Sequence, residues 1–192
     1  ALDEQQKQEF GAFIKEYLIE NPEIMLEVQE ALERKQYETR NAKAADAVAG
    51  NEKALFQSKY DLSIGNPDGD VTLVEFFDYN CGYCKRAMAD VDTILKTDKN
   101  VRFVLKEFPI LGEGSMISSQ FAIAVKQVAG DAAYKKAHDA LITLRGDATP
   151  EAMAALATEL GLDSAEILAK MDTPEVMAVI QANHDLGTTL QI

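Results

Sequence analysis

The sequence predicts an α/β fold with helical segments before and after it, and three observations support this prediction. Two apolar runs, Val71 to Phe77 and Val101 to Leu105, are rich in the β-branched and aromatic residues of strands. A helical pattern from Lys85 to Leu95 separates them, and a crossover of that length predicts parallel strands in one β-α-β unit. From Ser115 to Leu186 the pattern is helical throughout. We therefore expect a small parallel sheet with a large helical addition.

Residues 1–35 predict a short helix followed by a longer one. Asn21-Pro22-Glu23 divides the segment, because Asn is a good N-cap and Pro is accepted in a first helical turn. Apolar residues recur at three- and four-residue spacings and form one stripe. The stripe packs either on the main domain or on copies of itself, and its separation from the strands favours an oligomer. Its members are Phe10, Phe13, Ile14, Tyr17, Leu18, Ile24, Met25, Val28 and Leu32.

Residues 36–62 predict a helical linker or hinge. Up to residue 54 they are poor in large apolar groups, and Gly50-Asn51 is a plausible helix break. The main domain is expected over residues 63–192. The turn Asn66-Pro67-Asp68-Gly69 introduces its first strand, with Pro fixing φ and Gly permitting a positive φ.

The helical block, about residues 115–186, is predicted to begin new helices at Thr149-Pro150-Glu151 and Thr173-Pro174-Glu175. Gly130, Gly146 and Gly161 mark breaks. Its large apolar residues are expected to form an ordinary core rather than a cofactor pocket: Phe121, Val125, Leu141, Leu144, Leu160, Ile167 and Met171.

Composition excludes several classes of function. The net charge of −13 argues against nucleic acid and anionic lipid as partners. No apolar run approaches the roughly 18 residues of a membrane span, so no membrane insertion is expected. The first residues, Ala-Leu-Asp-Glu, lack an initiator methionine and a leader, which suggests a mature chain whose signal peptide has been removed.

Cys81 and Cys84 are the two cysteines of the chain, and they lie where the first strand gives way to a helix. Unpaired N–H groups and the helix dipole favour a thiolate there, and a second thiol three residues on can resolve the adduct. A structural disulfide is disfavoured because so short a loop adds little stability. A zinc site is disfavoured because the chain has no second cysteine pair, and His138 and His184 are expected to be solvated.

The runs VEFFDYNCGYCKRA and LKEFPILG, with the helical block after them, resemble the DsbA-like thiol-disulfide oxidoreductases. The resemblance covers residues 63–192 and implies a thioredoxin fold with an inserted helical domain. FIKEYLIENPEIMLEVQEALERKQ resembles the suppressor-of-copper-sensitivity C (ScsC) proteins, whose extra N-terminal region oligomerises. That likeness implies an N-terminal helical oligomerisation segment, with a trimer favoured, in a periplasmic protein with no cofactor. Its partners would be secreted disulfide proteins and a membrane redox protein that recycles the site.

The resemblance also assigns roles around the cysteines. Cys81 would be the nucleophile and Cys84 the resolving thiol. Gly82-Tyr83 is the dipeptide of the DsbC isomerases and points toward disulfide shuffling, with Tyr83 facing the substrate. Glu75 matches a buried acid that passes protons to the second cysteine, unless it is a surface glutamate on an edge strand.

Lysines and an arginine near the motif have open assignments. Lys106, at the end of the next strand, either neutralises Glu75 or is a solvated strand-end lysine. Lys85 and Arg86 either add positive potential near the thiolate or are ordinary helix-surface charges.

The expected function is that of an oligomeric disulfide isomerase. The alternatives are a DsbA-like oxidase and, in a different class, a copper-tolerance protein that binds Cu(I) at Cys81 and Cys84, since soft thiolates select that ion. One departure from the family stands out, because no proline lies where its cis-proline loop belongs and the chain ends at Ile192. The C-terminal part of the thioredoxin fold is therefore expected to be missing from this sequence, which is expected to be part of a longer protein.

Overall fold

The computed structural model describes residues 3–192 in two compact units, one ending at Gly50 and the other beginning at Asn51. The helix break predicted at Gly50-Asn51 is confirmed. The first unit contains two helices, α1 (Glu4–Glu20) and α2 (Glu23–Gly50). Asp3 caps α1 by accepting a 2.8 Å hydrogen bond from the Gln6 N–H, while its own N–H donates to the Gln6 side chain.

The predicted division at Asn21-Pro22-Glu23 is also confirmed. Neither helix of the first unit fully buries a side chain in this chain. Most large apolar residues of the predicted stripe are exposed, while Leu18 and Ile24 are half-buried. α2 continues without a break through residues 36–50, so the first part of the predicted linker is helical.

The second unit combines a three-stranded sheet with six helices. In chain order its elements are α3 (Glu52–Phe56), β1 (Leu62–Gly65), β2 (Val71–Phe77), α4 (Gly82–Thr97), β3 (Val101–Glu107), α5 (Glu113–Ile142), α6 (Pro150–Glu159), α7 (Ser164–Met171) and α8 (Pro174–Leu190).

The sheet has the order β1-β3-β2. β2 and β3 are parallel, as predicted, and pair Val71 with Val101 and Glu75 with Leu105. β1 runs antiparallel to β3 and has only four residues, too few for the alternation that would have predicted it. β3 is therefore the central strand and is nearly all buried, whereas β2 is more exposed.

The turn before β2 forms as predicted, with the Gly69 N–H donating to the Asn66 carbonyl at 3.1 Å. The reason for its glycine differs from the expectation, because Gly69 is not among the residues with a positive φ. A Cβ at this position would instead lie 2.3 Å from the Asn100 carbonyl oxygen. Close backbone approach, rather than turn geometry, requires glycine here.

The helical block packs on the sheet and on itself. α5 contacts β1 and each of α6, α7 and α8, and α8 contacts β3. The predicted apolar residues form or border one core, as expected, with Phe121, Val125 and Ile167 fully buried. The break predicted at Gly130 is confirmed, because this residue is non-helical, with φ of 81° and ψ of −173°, and kinks α5 into two helical parts. This packing fixes the end of the sheet from which the two cysteines project.

Candidate functional site

Cys81 is the N-cap of α4, four residues after the end of β2. Its N–H donates to the Asp78 carbonyl at 3.0 Å, and its own carbonyl accepts the Lys85 N–H at 3.0 Å. Cys84 lies one turn into the helix. Both cysteines are reduced and half-buried. The strand-to-helix junction predicted from the sequence therefore exists and places both thiols at one helix start.

The two thiols differ in acidity. The pKa of Cys81 is lowered, chiefly by the backbone N–H of Cys84, then by the Cys84 thiol, with a smaller contribution from the N–H of Tyr83. The pKa of Cys84 is raised to about 11, chiefly by burial and to a smaller extent by the neighbouring Cys81 and Glu75. The arrangement therefore favours a thiolate at Cys81 rather than at Cys84, and a thiolate is the form of cysteine that attacks disulfides.

Glu75 lies beside Cys84, on the strand that leads into the motif. Burial raises the pKa of its carboxyl, and the Cys84 thiol, which donates to it, partly offsets that rise. The Glu75 side chain is half-buried, and its Oε2 is buried without a hydrogen-bond partner in the described chain. A carboxyl with a raised pKa next to a thiol is suited to exchange a proton with it.

Lys106 does not neutralise Glu75, and it is not solvated, so both alternatives for it were wrong. Its side chain is buried, and Nζ lies 2.6 Å from Asp61 Oδ2 and 2.6 Å from the Ala54 carbonyl. Glu75 pairs in register with Leu105, so the next residue, Lys106, points to the opposite face of the sheet.

Tyr83 is strongly exposed, with 79% of its surface accessible. The Arg86 guanidinium lies 4.5 Å from the centre of its ring. A Cβ at Gly82 would lie 3.6 Å from Arg86 Nη1, so the arginine lies beside both residues of the dipeptide while the Tyr83 ring stays exposed. Lys85 Nζ donates to the Leu144 carbonyl at 3.3 Å, which ties α4 to the loop after α5.

Both histidines were expected to be solvated, which was wrong for His138, whereas His184 is half-buried. His138 is fully buried on α5, and burial lowers its pKa to about 4. His184 Nε2 lies 3.1 Å from the Pro109 carbonyl, and its ring packs on Phe108. Their polar sequence neighbours occupy other faces of the same helices, which is why the local pattern misled.

A buried polar cluster around Glu107 was not predicted. Tyr79, Tyr134 and Ser119 donate to its carboxylate at 2.8, 2.8 and 2.7 Å. His138 Nδ1 lies 3.2 Å from the Tyr79 oxygen. Tyr79 was visible only as part of the motif, and the other members come from α5 and β3, so no local signal could have found them.

Within residues 3–192, no group of three or more histidine, cysteine or carboxylate side chains is placed to hold a metal ion. Over the same residues, no helix combines the length and apolar character needed to cross a membrane.

Two family models match this chain. Residues 72–192 match one described as a DSBA-like thioredoxin domain, and residues 6–38 match the copper resistance protein ScsC N-terminal domain.

Solved structures resemble one or both units. A thioredoxin-like oxidoreductase from Silicibacter pomeroyi DSS-3 is 42% identical, with a TM-score of 0.67 over 73% of this chain and 80% of that one. A Proteus mirabilis ScsC mutant with a linker deletion is 26% identical, with a TM-score of 0.72 over 100% of this chain and 83% of that one. These likenesses confirm the predicted thioredoxin fold and the predicted resemblance to ScsC.

A curated relative is much longer than this chain. The Na(+)/H(+) antiporter NhaA 1 of Salinispora arenicola (strain CNS-205) is 31% identical over 100 residues, which is 52% of this chain but only 15% of the antiporter.

Proposed function

The chain belongs to the family of DsbA-like thioredoxin domains, and from that membership we propose that it is a thiol-disulfide oxidoreductase whose redox pair is Cys81 and Cys84. The observation that carries the proposal is the contrast between the two thiols. Cys81 sits at a helix start that lowers its pKa, whereas burial raises the pKa of Cys84 to about 11. In such a pair the Cys81 sulfur can attack as a thiolate, while the Cys84 sulfur stays protonated as a thiol.

The exchange begins at Cys81. Its thiolate attacks one sulfur of a substrate disulfide, so that a mixed disulfide forms while the substrate S–S bond breaks. The displaced substrate sulfur leaves as a thiolate and takes a proton from water. A lowered pKa makes Cys81 available as thiolate and also makes it a good leaving group in the reverse direction.

Cys84 completes the reaction when the mixed disulfide is to be resolved. Its thiol gives its proton to the Glu75 carboxylate, with which it is in contact. The Cys84 thiolate then attacks the Cys81 sulfur and breaks the mixed disulfide. The substrate leaves with two reduced sulfurs, and the two electrons it gained come from the Cys81 and Cys84 thiols, which are now joined.

Isomerisation is the net reaction that we propose. In it, the substrate thiolate released in the first step attacks another disulfide of the same substrate, and a substrate thiolate finally displaces Cys81. The site returns to its starting state without net electron transfer. The exposed Gly82-Tyr83 dipeptide supports isomerisation as the net reaction, since the large exposed ring of Tyr83 near Cys81 offers contact area to an unfolded substrate chain.

The exposed stripe on α1 and α2 supports assembly of several such sites, as does the match of residues 6–38 to the ScsC N-terminal domain. Several sites on one assembly raise the effective concentration of thiolate around a bound substrate. We therefore propose a periplasmic homo-oligomer, with a trimer favoured. It acts on secreted disulfide proteins and is kept reduced by a membrane redox partner.

Two other functions use the same pair. A dithiol oxidase would donate the Cys81–Cys84 disulfide to substrates. A Cu(I)-binding protein would hold the ion between the two thiolates. The match of residues 6–38 to the copper resistance protein ScsC N-terminal domain supports this alternative. Cu(I) titration of the reduced protein against a competing chelator tests it, and failure of the protein to compete would eliminate it.

The test of the proposed function compares reactivation of scrambled ribonuclease with oxidation of reduced ribonuclease. It uses the whole chain, Cys81→Ala, and Phe13→Asp in the exposed stripe. If Cys81→Ala abolishes isomerisation and Phe13→Asp weakens it, the result supports an oligomeric isomerase. Oxidation that persists in Phe13→Asp, without isomerisation in any form, would make the protein an oxidase.

A further inference from the structure

Asp78 is a buried carboxylate three residues before Cys81, and the mechanism above does not use it. Only 3% of its surface is accessible. Its Oδ1 accepts the Asn80 N–H at 2.7 Å and the Ser115 hydroxyl at 2.7 Å. The first contact lies within the loop of residues 78–81 between β2 and α4, which carries Cys81 and which we call the redox loop. The second contact reaches the first turn of α5.

The other carboxylate oxygen holds a different segment. Asp78 Oδ2 accepts the backbone N–H groups of Ile110 at 2.8 Å and of Leu111 at 3.0 Å. These residues form the loop between β3 and α5, and both of their side chains are exposed. The backbone carbonyl of Asp78 accepts the Cys81 N–H at 3.0 Å. One residue therefore joins the redox loop, the β3–α5 loop and the start of α5.

We propose that Asp78 is a positioning residue for Cys81, whose carboxylate locks the redox loop to the β3–α5 loop and whose negative charge limits the stabilisation of the Cys81 thiolate. This inference rests on the proposed function, because it concerns the thiol assigned there as nucleophile. The negative charge of Asp78 would act against the N-terminus of α4, which stabilises the Cys81 thiolate.

The chemistry of the four contacts requires a carboxylate. All four partners are donors, and a carboxylate is an acceptor at both oxygens. An amide would present N–H groups to one pair of donors and leave buried groups without hydrogen-bond partners, which is unfavourable. A neutral side chain of the same shape therefore cannot take over the contacts of Asp78, although it removes the charge.

The effect of the charge follows from its sign. The pKa of Cys81 is lowered, chiefly by the backbone N–H of Cys84, and the Asp78 charge partly opposes this lowering by Coulombic repulsion of the thiolate. Removing the charge stabilises the reduced form, and a more stable reduced form makes a disulfide a stronger oxidant. The charge of Asp78 would thus keep the Cys81–Cys84 disulfide a weaker oxidant, which is the more reducing potential that an isomerase needs.

The experiment combines three variants of the whole chain with two measurements. Asp78→Asn removes the charge, Ser115→Ala removes one donor but keeps the charge, and Glu113→Gln removes an exposed charge in the first turn of α5. The measurements are the redox equilibrium of Cys81 and Cys84 with glutathione, followed by mass spectrometry, and amide hydrogen exchange at Ile110 and Leu111.

Asp78→Asn is expected to shift the equilibrium toward the reduced protein by about threefold or more, while Ser115→Ala and Glu113→Gln stay near the parent value. In the parent protein, the amides of Ile110 and Leu111 should exchange at least about tenfold more slowly than free peptide amides. Ser115→Ala should keep that protection, because both bonds are to Oδ2.

An unchanged equilibrium in a folded Asp78→Asn protein would overturn the effect of the charge. Unprotected Ile110 and Leu111 amides in the parent would overturn the lock, and this result does not depend on whether Asp78→Asn folds. Neither measurement needs catalytic turnover. Loss of the proposed isomerase activity would therefore be told apart from failure of this inference.

Discussion

The Tyr79 hydroxyl donates a 2.8 Å hydrogen bond to the Glu107 carboxyl group, and both side chains are fully buried. Tyr79 lies two residues before Cys81, so this bond connects the redox loop to the end of the central strand. Burial raises the pKa of Glu107 to about 8, although the hydroxyls of Ser119, Tyr134 and Tyr79 each oppose the rise. The folded protein therefore holds a proton here that the unfolded chain releases in mildly acidic solution.

Because the folded state holds this proton and the unfolded chain does not, we predict that the free energy of unfolding falls between about pH 6.5 and 8. In that range folded Glu107 binds more protons than the unfolded chain, so the free energy of unfolding falls as the pH rises, by up to about 1.4 kcal/mol per pH unit. His138, with its pKa lowered to about 4, has the opposite effect between about pH 4 and 6.5, where the two slopes offset each other.

Urea unfolding of a Cys81→Ala, Cys84→Ala double variant measures this slope without a contribution from the thiols. Glu107→Gln in that background should flatten the decline between pH 6.5 and 8. Glu159→Gln, an exposed glutamate on α6, is the matched control and should leave the slope unchanged. An equal decline in the Glu107→Gln protein would show that another group causes it.

The difference between the two thiols predicts selective alkylation. At pH 7 iodoacetamide should modify Cys81 much faster than Cys84, because the pKa of Cys81 is lowered and that of Cys84 is raised to about 11. Peptide mass spectrometry after timed quenching measures both rates. Cys84→Ala should remain reactive at Cys81 and should accumulate mixed disulfides, whereas equal rates at the two cysteines would contradict the assignment of nucleophile and resolving thiol.

Glu75→Gln is predicted to slow the resolution of the mixed disulfide. Loss of the proton acceptor should lower the rate at which Cys84 releases a glutathione bound to Cys81, by about tenfold to a hundredfold. Rapid-quench mass spectrometry of the preformed mixed disulfide measures this rate. The charge of Glu75 also raises the pKa of Cys84, so a purely electrostatic role would make the variant faster instead.

The positions of the redox residues were predictable because the signal was local. A strand, a turn and a helix start follow one another within residues 71 to 85, and no distant contact is needed to place Cys81, Cys84 and Glu75 together. The charge networks were not predictable. Asp61 is forty-five residues from Lys106, and Glu107 meets hydroxyls from α5. Such partners become visible only when the helical block is packed on the sheet.

The buried Lys106–Asp61 pair predicts a large stability effect without a direct effect on the thiols. Lys106→Met would leave the Asp61 carboxylate buried without its cation, which typically costs about 3–5 kcal/mol. Urea unfolding measures this loss. Adding Asp61→Leu should recover much of the stability, because apolar replacement of both partners of a buried pair is often tolerated. A Lys106→Met protein as stable as the parent would mean that the pair contributes little.

The apolar stripe on the first unit predicts an assembly that one charge can disrupt. Phe13 has 61% of its surface exposed in the single chain, and Phe10 and Tyr17 lie one helical turn away on the same face. Burying such side chains between copies would stabilise an oligomer by about 1.5–3 kcal/mol each. Phe13→Asp should therefore shift the protein toward monomer in sedimentation velocity.

Ala12→Asp is the matched control, since it places the same charge one residue away on a different face of α1. It should leave the sedimentation coefficient unchanged. Because the redox pair lies in the other unit, the alkylation rate of Cys81 should be equal in both variants and in the parent. A parent protein that sediments as a monomer at micromolar concentration would contradict assembly through this stripe, whatever the variants do.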